Sequence, residues 1–132
     1  MRTLTILILC ITSILSAMGQ VRVDSKRYNL DTLKERWHDM TEKGYYHDVA
    51  ESTGTVYWYA LEQKNWPAAL YAAVMAAQSM YALNMPDSMY KYISRASDIS
   101  NKHRNVLTRY EYSWASGVIN NTLGMYHVDE DM

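Results

Sequence analysis

Two short clusters in the first half of the chain carry residue types that bind metal ions. His38-Asp39-x-x-Glu42 and His47-Asp48-x-x-Glu51 each place a histidine four positions before a glutamate. On a helix this spacing puts both side chains on one face, one turn apart, where they can share a metal ion. No further ligand follows at a known spacing, and neither cluster forms a His-Glu-x-x-His motif. We favour the alternative, a polar helix face beside a turn, and predict no metal site.

The groups that catalysis requires are sparse. Cys10 is the sole cysteine, and it lies in an apolar segment at the N-terminus, so we expect no thiolate nucleophile and no disulfide. The chain contains neither a Gly-x-Ser-x-Gly motif nor a glycine-rich phosphate loop. We therefore expect a protein without catalytic activity or cofactor.

Three adjacent aromatic residues, Tyr57-Trp58-Tyr59, are the strongest candidates for contact with a partner. Consecutive residues of a helix point about 100° apart, so if Tyr57 enters the core, Trp58 or Tyr59 must point elsewhere. An exposed tryptophan would contact a peptide or a glycan. We favour packing on a neighbouring helix pair, because it is the commoner use of aromatic side chains. Trp58 and Tyr59 are the candidate partner-binding residues.

The first nineteen residues have the pattern of a secretory signal peptide. Arg2 precedes an apolar run at positions 4–15, and Ala17-Met18-Gly19 supplies small residues at a cleavage site. The apolar run is shorter than the roughly 20 residues that span a membrane. We expect cleavage after Gly19 and a periplasmic or secreted protein; an uncleaved N-terminal anchor is the alternative.

Residues 20–132 number 113 of the 132 and suit a single domain. Arg2 is one of the 13 basic residues, so 12 basic and 14 acidic residues remain, a formal charge of −2. No basic patch is present, and nucleic acid is not an expected partner. We also expect no membrane span after the signal peptide.

Turn signals recur at a nearly constant spacing. Asn65-Trp66-Pro67 and Asn84-Met85-Pro86 lie nineteen positions apart, and each places an asparagine able to cap a helix before a proline suited to its first turn. Lys43-Gly44, Ser100-Asn101-Lys102 and the acidic run at 129–131 complete the series. Such regular spacing indicates stacked helices.

Apolar residues between these turns follow a helical period rather than alternating. The five predicted stripes are Leu30, Leu33, Trp37 and Met40; Tyr46, Val49, Ala50, Thr53, Val56, Tyr57, Ala60 and Leu61; Ala69, Leu70, Ala73, Ala76, Ala77, Met80 and Tyr81; Met89, Tyr92, Ile93, Ala96 and Ile99; and Val106, Leu107, Tyr110, Trp114, Gly117, Val118 and Asn121. Ser79 falls outside the third stripe. The sequence predicts an all-α fold of about five helices, arranged as antiparallel hairpins in a short solenoid.

A family resemblance rests on residues within 46–132. They are Val56-Tyr57-x-x-Ala60 followed by Asn65-Trp66, Ala69, Ala73 and Ala76; Ala76-Ala77-x-x-Met80 followed by Met89, Ile93 and Ala96; and Leu123-Gly124-Met125-Tyr126. This pattern resembles a degenerate tetratricopeptide repeat, with residues 20–132 as the helical domain and Leu123 opening a further repeat before an acidic turn. Tyr57 and Met89 replace small residues of the consensus, and the matches recur after twenty residues rather than about 34.

The resemblance implies a function in recognition. Signal-bearing arrays of this kind are similar to the periplasmic sensor portions of bacterial regulators, so we expect an exported, non-catalytic protein-interaction or sensory scaffold. The alternative is an exported helical-repeat protein that binds glycans or assists their uptake. The chain is expected to be the N-terminal part of a longer protein, with self-association through its uncovered last helix, or else a short protein whose last helix caps itself.

Overall fold

The computed structural model describes residues 29–132, which form five α-helices. They are α1 (Leu30–Glu42), α2 (Tyr46–Glu62), α3 (Trp66–Ala82), α4 (Pro86–Lys102) and α5 (Arg109–Asp131), with a single 3-10 turn, Arg104–Val106, before α5. The all-α prediction is confirmed for these residues, and no strand occurs among them. None of these helices is apolar over a length that could cross a bilayer. The predicted signal peptide, 1–19, lies outside the described residues.

The first three interhelical turns share one backbone geometry. Gly44, Lys64 and Asn84 adopt left-handed φ angles of 78°, 55° and 56°, and they are twenty residues apart. The amide that follows each of them donates to a carbonyl five residues earlier, at 2.9 Å in all three turns. These bonds satisfy the last carbonyls of the preceding helix, as in a Schellman motif. The helices therefore end and restart at a constant interval.

The two asparagines that we expected to act as caps have different roles. Asn65 caps α3, because its side chain accepts a hydrogen bond from the Ala68 amide at 3.3 Å. Asn84 instead occupies the left-handed position of its turn, and Met85 precedes α4 without a side-chain cap bond. Asparagine tolerates left-handed backbone better than most residues, which explains the second arrangement.

Helix α3 lies at the centre of the described structure and contacts the other four helices. It is apolar around its whole circumference, as expected of a helix covered on all sides. Its buried residues are Ala68, Ala69, Leu70, Ala72, Ala73, Val74, Met75, Ala76, Ala77 and Ser79. The prediction that Ser79 lies outside the buried face is wrong, because neighbours cover that side too; its hydroxyl donates to the Met75 carbonyl at 3.0 Å.

Ring contacts show which helices are neighbours on each side of α3. Trp37 of α1 and Trp114 of α5 stack on Tyr71 of α3, with ring centroids 6.0 and 4.4 Å apart. Tyr57 of α2 meets Tyr92 of α4 edge to face at 5.9 Å. The helices therefore form two rows, α1-α3-α5 and α2-α4, and consecutive helices joined by short turns run antiparallel.

Helix α5 differs from its prediction at both ends. It begins at Arg109 rather than near Val106, because Thr108 and Glu111 form a capping box with hydrogen bonds of 3.0 and 2.8 Å. It then continues unbroken to Asp131, so the predicted acidic turn at 129–131 is wrong, and residues 123–126 lie within this helix rather than at the start of a new one. The Tyr81 hydroxyl donates to the Asp129 carboxylate and ties this end of α5 to α3.

The buried face of α5 is also rotated from the predicted stripe. Ala115 and Thr122 are buried, whereas Gly117 and Asn121 are exposed and Tyr110 is 76% exposed. Trp114 and Val118 of the predicted stripe do pack against the core, so within α5 the prediction is wrong at Tyr110, Gly117 and Asn121 only.

Candidate functional site

The two His-Asp-x-x-Glu clusters lie on the surface. His38 Nε2 lies 3.2 Å from Glu42 Oε1, and Lys43 Nζ lies 3.0 Å from Asp39 Oδ2. The second cluster, at 47–51, has its histidine and both carboxylates exposed on α2. Within residues 29–132 no group of three histidine, cysteine, aspartate or glutamate side chains converges on one point. The residues of the first cluster therefore form exposed pairs between positions four apart on the surface of α1.

The aromatic triplet of α2 points in three directions. Tyr57 is buried, and Tyr59 is partly buried on the same side of α2 as Ser52, seven residues earlier. That side faces α1, since the Ser52 hydroxyl accepts a hydrogen bond from Trp37 Nε1 at 2.8 Å. Trp58 is 51% exposed. Packing therefore accounts for Tyr57, and of the two candidate residues Trp58 is the more exposed.

Trp58 belongs to a group of three rings around one guanidinium, which we call the Arg95 cluster: Tyr57, Trp58, Tyr92 and Arg95. The Arg95 Cζ atom lies 4.8 Å from the ring centroid of Trp58, 5.1 Å from that of Tyr92 and 5.7 Å from that of Tyr57. All three distances are in the range of cation–π attraction. Tyr57 and Trp58 also meet edge to face at 5.0 Å. Side chains from α2 and α4 thus hold the guanidinium in place.

Charge in the Arg95 cluster is not neutralised by a carboxylate within residues 29–132, where Arg95 has no ion-pair partner. Asp98, three residues further along α4, pairs with Lys102 at 3.2 Å. Burial raises the pKa of the Tyr57 hydroxyl, and the positive charge of Arg95 lowers it by less. Tyr57 is therefore uncharged at neutral pH, and the cluster presents one positive charge on an aromatic support.

A glycine in the middle of α2 makes room for this cluster. A Cβ atom on Gly54 would lie 3.0 Å from the Tyr92 hydroxyl oxygen, closer than ordinary van der Waals contact. Glycine inside a helix is destabilising relative to alanine. Here it allows the Tyr92 ring to reach α2 and pack beside the Arg95 guanidinium.

A second feature lies on the α1-α3-α5 row. A cavity of about 120 Å³, which we call the Tyr71 cleft, is lined by Lys34, Pro67, Leu70, Tyr71, Tyr110, Glu111 and Trp114. Lys34 Nζ lies 4.5 Å from the Tyr71 ring centroid, and Trp114 is nearly parallel to that ring. The pKa of Tyr71 is raised, first by burial and then by the neighbouring Tyr110. The cleft therefore combines uncharged aromatic rings with one ammonium and one carboxylate.

Sequence reasoning identified Trp58 but missed Arg95 and Tyr92. Their relation to Trp58 depends on how α2 and α4 lie beside each other, and no local motif records it. No family model matches the chain, and no match is found among curated proteins or solved structures. The function of the chain is therefore inferred from the geometry of the two sites.

Proposed function

We propose that this protein is an exported, non-catalytic interaction scaffold that binds a protein partner through the Arg95 cluster. The observation that carries the proposal is a half-exposed Trp58 packed against Arg95 on a surface shared by two helices. Tryptophan, tyrosine and arginine supply most of the energy at protein interfaces. Side chains already fixed by packing lose little conformational freedom on binding, which favours affinity.

The scaffold part of the proposal is supported by the repeated turns. Two helices and their two turns occupy forty residues, for example from Tyr46 to Met85. A tetratricopeptide-like solenoid is consistent with such helical hairpins, although the consensus repeat has about 34 residues. We therefore propose that the helical hairpins are a divergent form of the tetratricopeptide repeat. The signal-like segment at 1–19 supports export, and a sensory role in a bacterial envelope accords with both features.

The test is a screen of the purified protein against a random dodecapeptide display library. Binding of the selected peptides is then measured by calorimetry on the wild type and on Trp58→Ala. Loss of a central tryptophan costs roughly 2 kcal/mol or more, so we expect the variant to bind about 30-fold more weakly or worse. Tyr45→Ala is the matched control, because Tyr45 is 54% exposed and lies outside the cluster. Peptides that bind Trp58→Ala as tightly as the wild type would contradict the proposal.

A second candidate function, glycan binding, is favoured by the Tyr71 cleft. Sugar rings stack their apolar faces on aromatic side chains while their hydroxyls bond to charged groups, and the cleft offers both. A glycan array separates the two functions. Glycan binding through the cleft would be lost in Tyr110→Ala and kept in Trp58→Ala, whereas peptide binding through the Arg95 cluster would respond in the opposite way.

A further inference from the structure

We infer that the segment bound by the Arg95 cluster presents an aspartate or glutamate carboxylate to Arg95, next to an apolar side chain on Trp58. The inference rests on the proposed function and names the chemistry of the partner. It starts from a partly buried arginine whose neighbours are aromatic rings and which has no carboxylate at ion-pair distance within residues 29–132.

The shape of the guanidinium decides what it can still bind. Aromatic rings attract its positive charge, but they do not replace the acceptors that its five N–H groups need. A carboxylate matches two of those donors at once, and such paired bonds are among the strongest in proteins. Three surrounding rings restrict the Arg95 side chain, so little of its freedom remains to be lost on binding.

Charge favours a carboxylate over a phosphate. Asp98 already forms an ion pair with Lys102 on α4, so in the described part of the chain Arg95 has no carboxylate at ion-pair distance beside the half-exposed indole of Trp58. Burial is the first cause of the raised pKa of Tyr57, and Asp98 lies close enough to raise it further. The negative charge of Asp98 therefore repels a phosphate, which carries close to two negative charges, more than it repels a carboxylate. Nucleic acid requires several cations along its backbone, and the formal charge of the whole chain is −1. One monovalent anion therefore complements the cluster best.

The exposed half of Trp58 supplies the second part of the contact. An apolar residue of the partner that covers the indole would exclude water from the adjacent ion pair. Charge-assisted hydrogen bonds are stronger where water is excluded. The combination predicts a short motif, an acidic residue close to an apolar one.

The test is a double-mutant cycle on the dodecapeptides that bind in a Trp58-dependent manner. Each acidic residue of such a peptide is changed to its amide, and affinities are measured on the wild type and on Arg95→Gln. One acid-to-amide change should weaken binding to the wild type about 10- to 100-fold, the cost of a hydrogen bond to a charged group. The same change should have no effect on Arg95→Gln. Arg95→Lys should lie between them, because it keeps the charge but loses the paired donors.

Controls separate this inference from its premise. Lys91→Gln removes an exposed charge one turn away on the same helix and should leave the cycle unchanged. A thermal-unfolding midpoint by circular dichroism close to that of the wild type shows that Arg95→Gln keeps its fold. Three results would each contradict the inferred carboxylate contact and leave the proposed function intact. The first is that Trp58-dependent peptides contain no acidic residue, and the second is that the acid-to-amide change weakens binding to Arg95→Gln as much as binding to the wild type. The third is that a phosphoserine peptide binds more tightly. Absence of any Trp58-dependent peptide would instead overturn the proposed function, and the inference with it.

Discussion

Arg95 is held by aromatic rings from two helices, and the position of one of these rings depends on a glycine. Gly54 lies beside Tyr92, and Tyr92 supports the guanidinium. A Cβ atom at position 54 would require the Tyr92 hydroxyl to shift by a few tenths of an ångström. The chemistry of the exposed surface is therefore linked to a residue that itself offers no functional group.

Two glycine-to-alanine substitutions test this dependence. Gly117→Ala should raise the free energy of unfolding by about 0.5–1 kcal/mol, because alanine favours the helix and nothing lies within 4 Å of its new Cβ. Gly54→Ala should gain less or lose stability, since its Cβ meets the Tyr92 hydroxyl at 3.0 Å. Urea unfolding measures both variants. An equal gain at the two positions would show that Tyr92 moves without cost.

At this scale the sequence predicts which residue types are available but not which of them meet. The helical period places Tyr57 in the core and predicts that its neighbours point elsewhere, which the structure bears out for Trp58. Arg95 lies thirty-seven residues further along the chain, and its position over the Trp58 ring depends on the packing of α2 against α4. Side-chain contacts between distant segments leave no local signal.

The positions of the helices along the chain are determined by the turns at their ends more than by their apolar faces. The three equivalent turns place glycine, lysine and asparagine in the same left-handed backbone conformation. Only glycine adopts that conformation without steric cost. The structural repeat is therefore not apparent in the sequence, because a different residue type occupies the left-handed position of each turn.

Substitution of the lysine should reveal the shared geometry. Lys64→Gly is expected to raise the free energy of unfolding by about 1 kcal/mol, since it relieves the crowding of a Cβ atom at φ 55°. Gly44→Ala should lower it by a similar amount at φ 78°. Thermal unfolding of both variants provides the measurement. Destabilisation by Lys64→Gly would mean that the lysine side chain contributes more to the turn than its backbone costs.

The predicted helix boundaries agree with the structure where proline or glycine marks the turn. They disagree at the start of α5, where a capping box marks the boundary. The boundaries of α1 to α4 lie within a few residues of the predicted turns. At α5 the boundary is set by the Thr108-x-x-Glu111 capping box, which the apolar period does not mark. An apolar period alone cannot fix where a helix starts, since residues of a preceding loop continue the same spacing by chance.

Residues 29–132 are organised around α3. In a long solenoid each unit contacts only its neighbours, so stability can be lost locally. Here one helix touches the other four, and its six buried alanines let their backbones approach closely. The described part of the chain should consequently unfold in one cooperative transition. Self-association through α5 stays a prediction.

A pair of alanine-to-leucine substitutions within α3 measures this central packing. Ala73→Leu should lower the free energy of unfolding by about 1–3 kcal/mol, because the buried position has no room for a larger side chain. Ala82→Leu, at the exposed last residue of the same helix, should change it by less than about 0.5 kcal/mol. Similar urea midpoints for the two variants would contradict a tightly packed α3.

The four tryptophans, all in the described part of the chain, occupy different surroundings. Trp37 has no exposed surface, Trp66 and Trp114 are partly buried and stacked on neighbouring rings, and Trp58 has half of its surface in solvent. Indole fluorescence is quenched by dissolved acrylamide chiefly where the ring is accessible. Most of the quenchable emission of this protein should therefore come from Trp58, at the centre of the proposed contact. A bound partner would shield Trp58 from acrylamide, so a decrease in quenching would report binding without an added label.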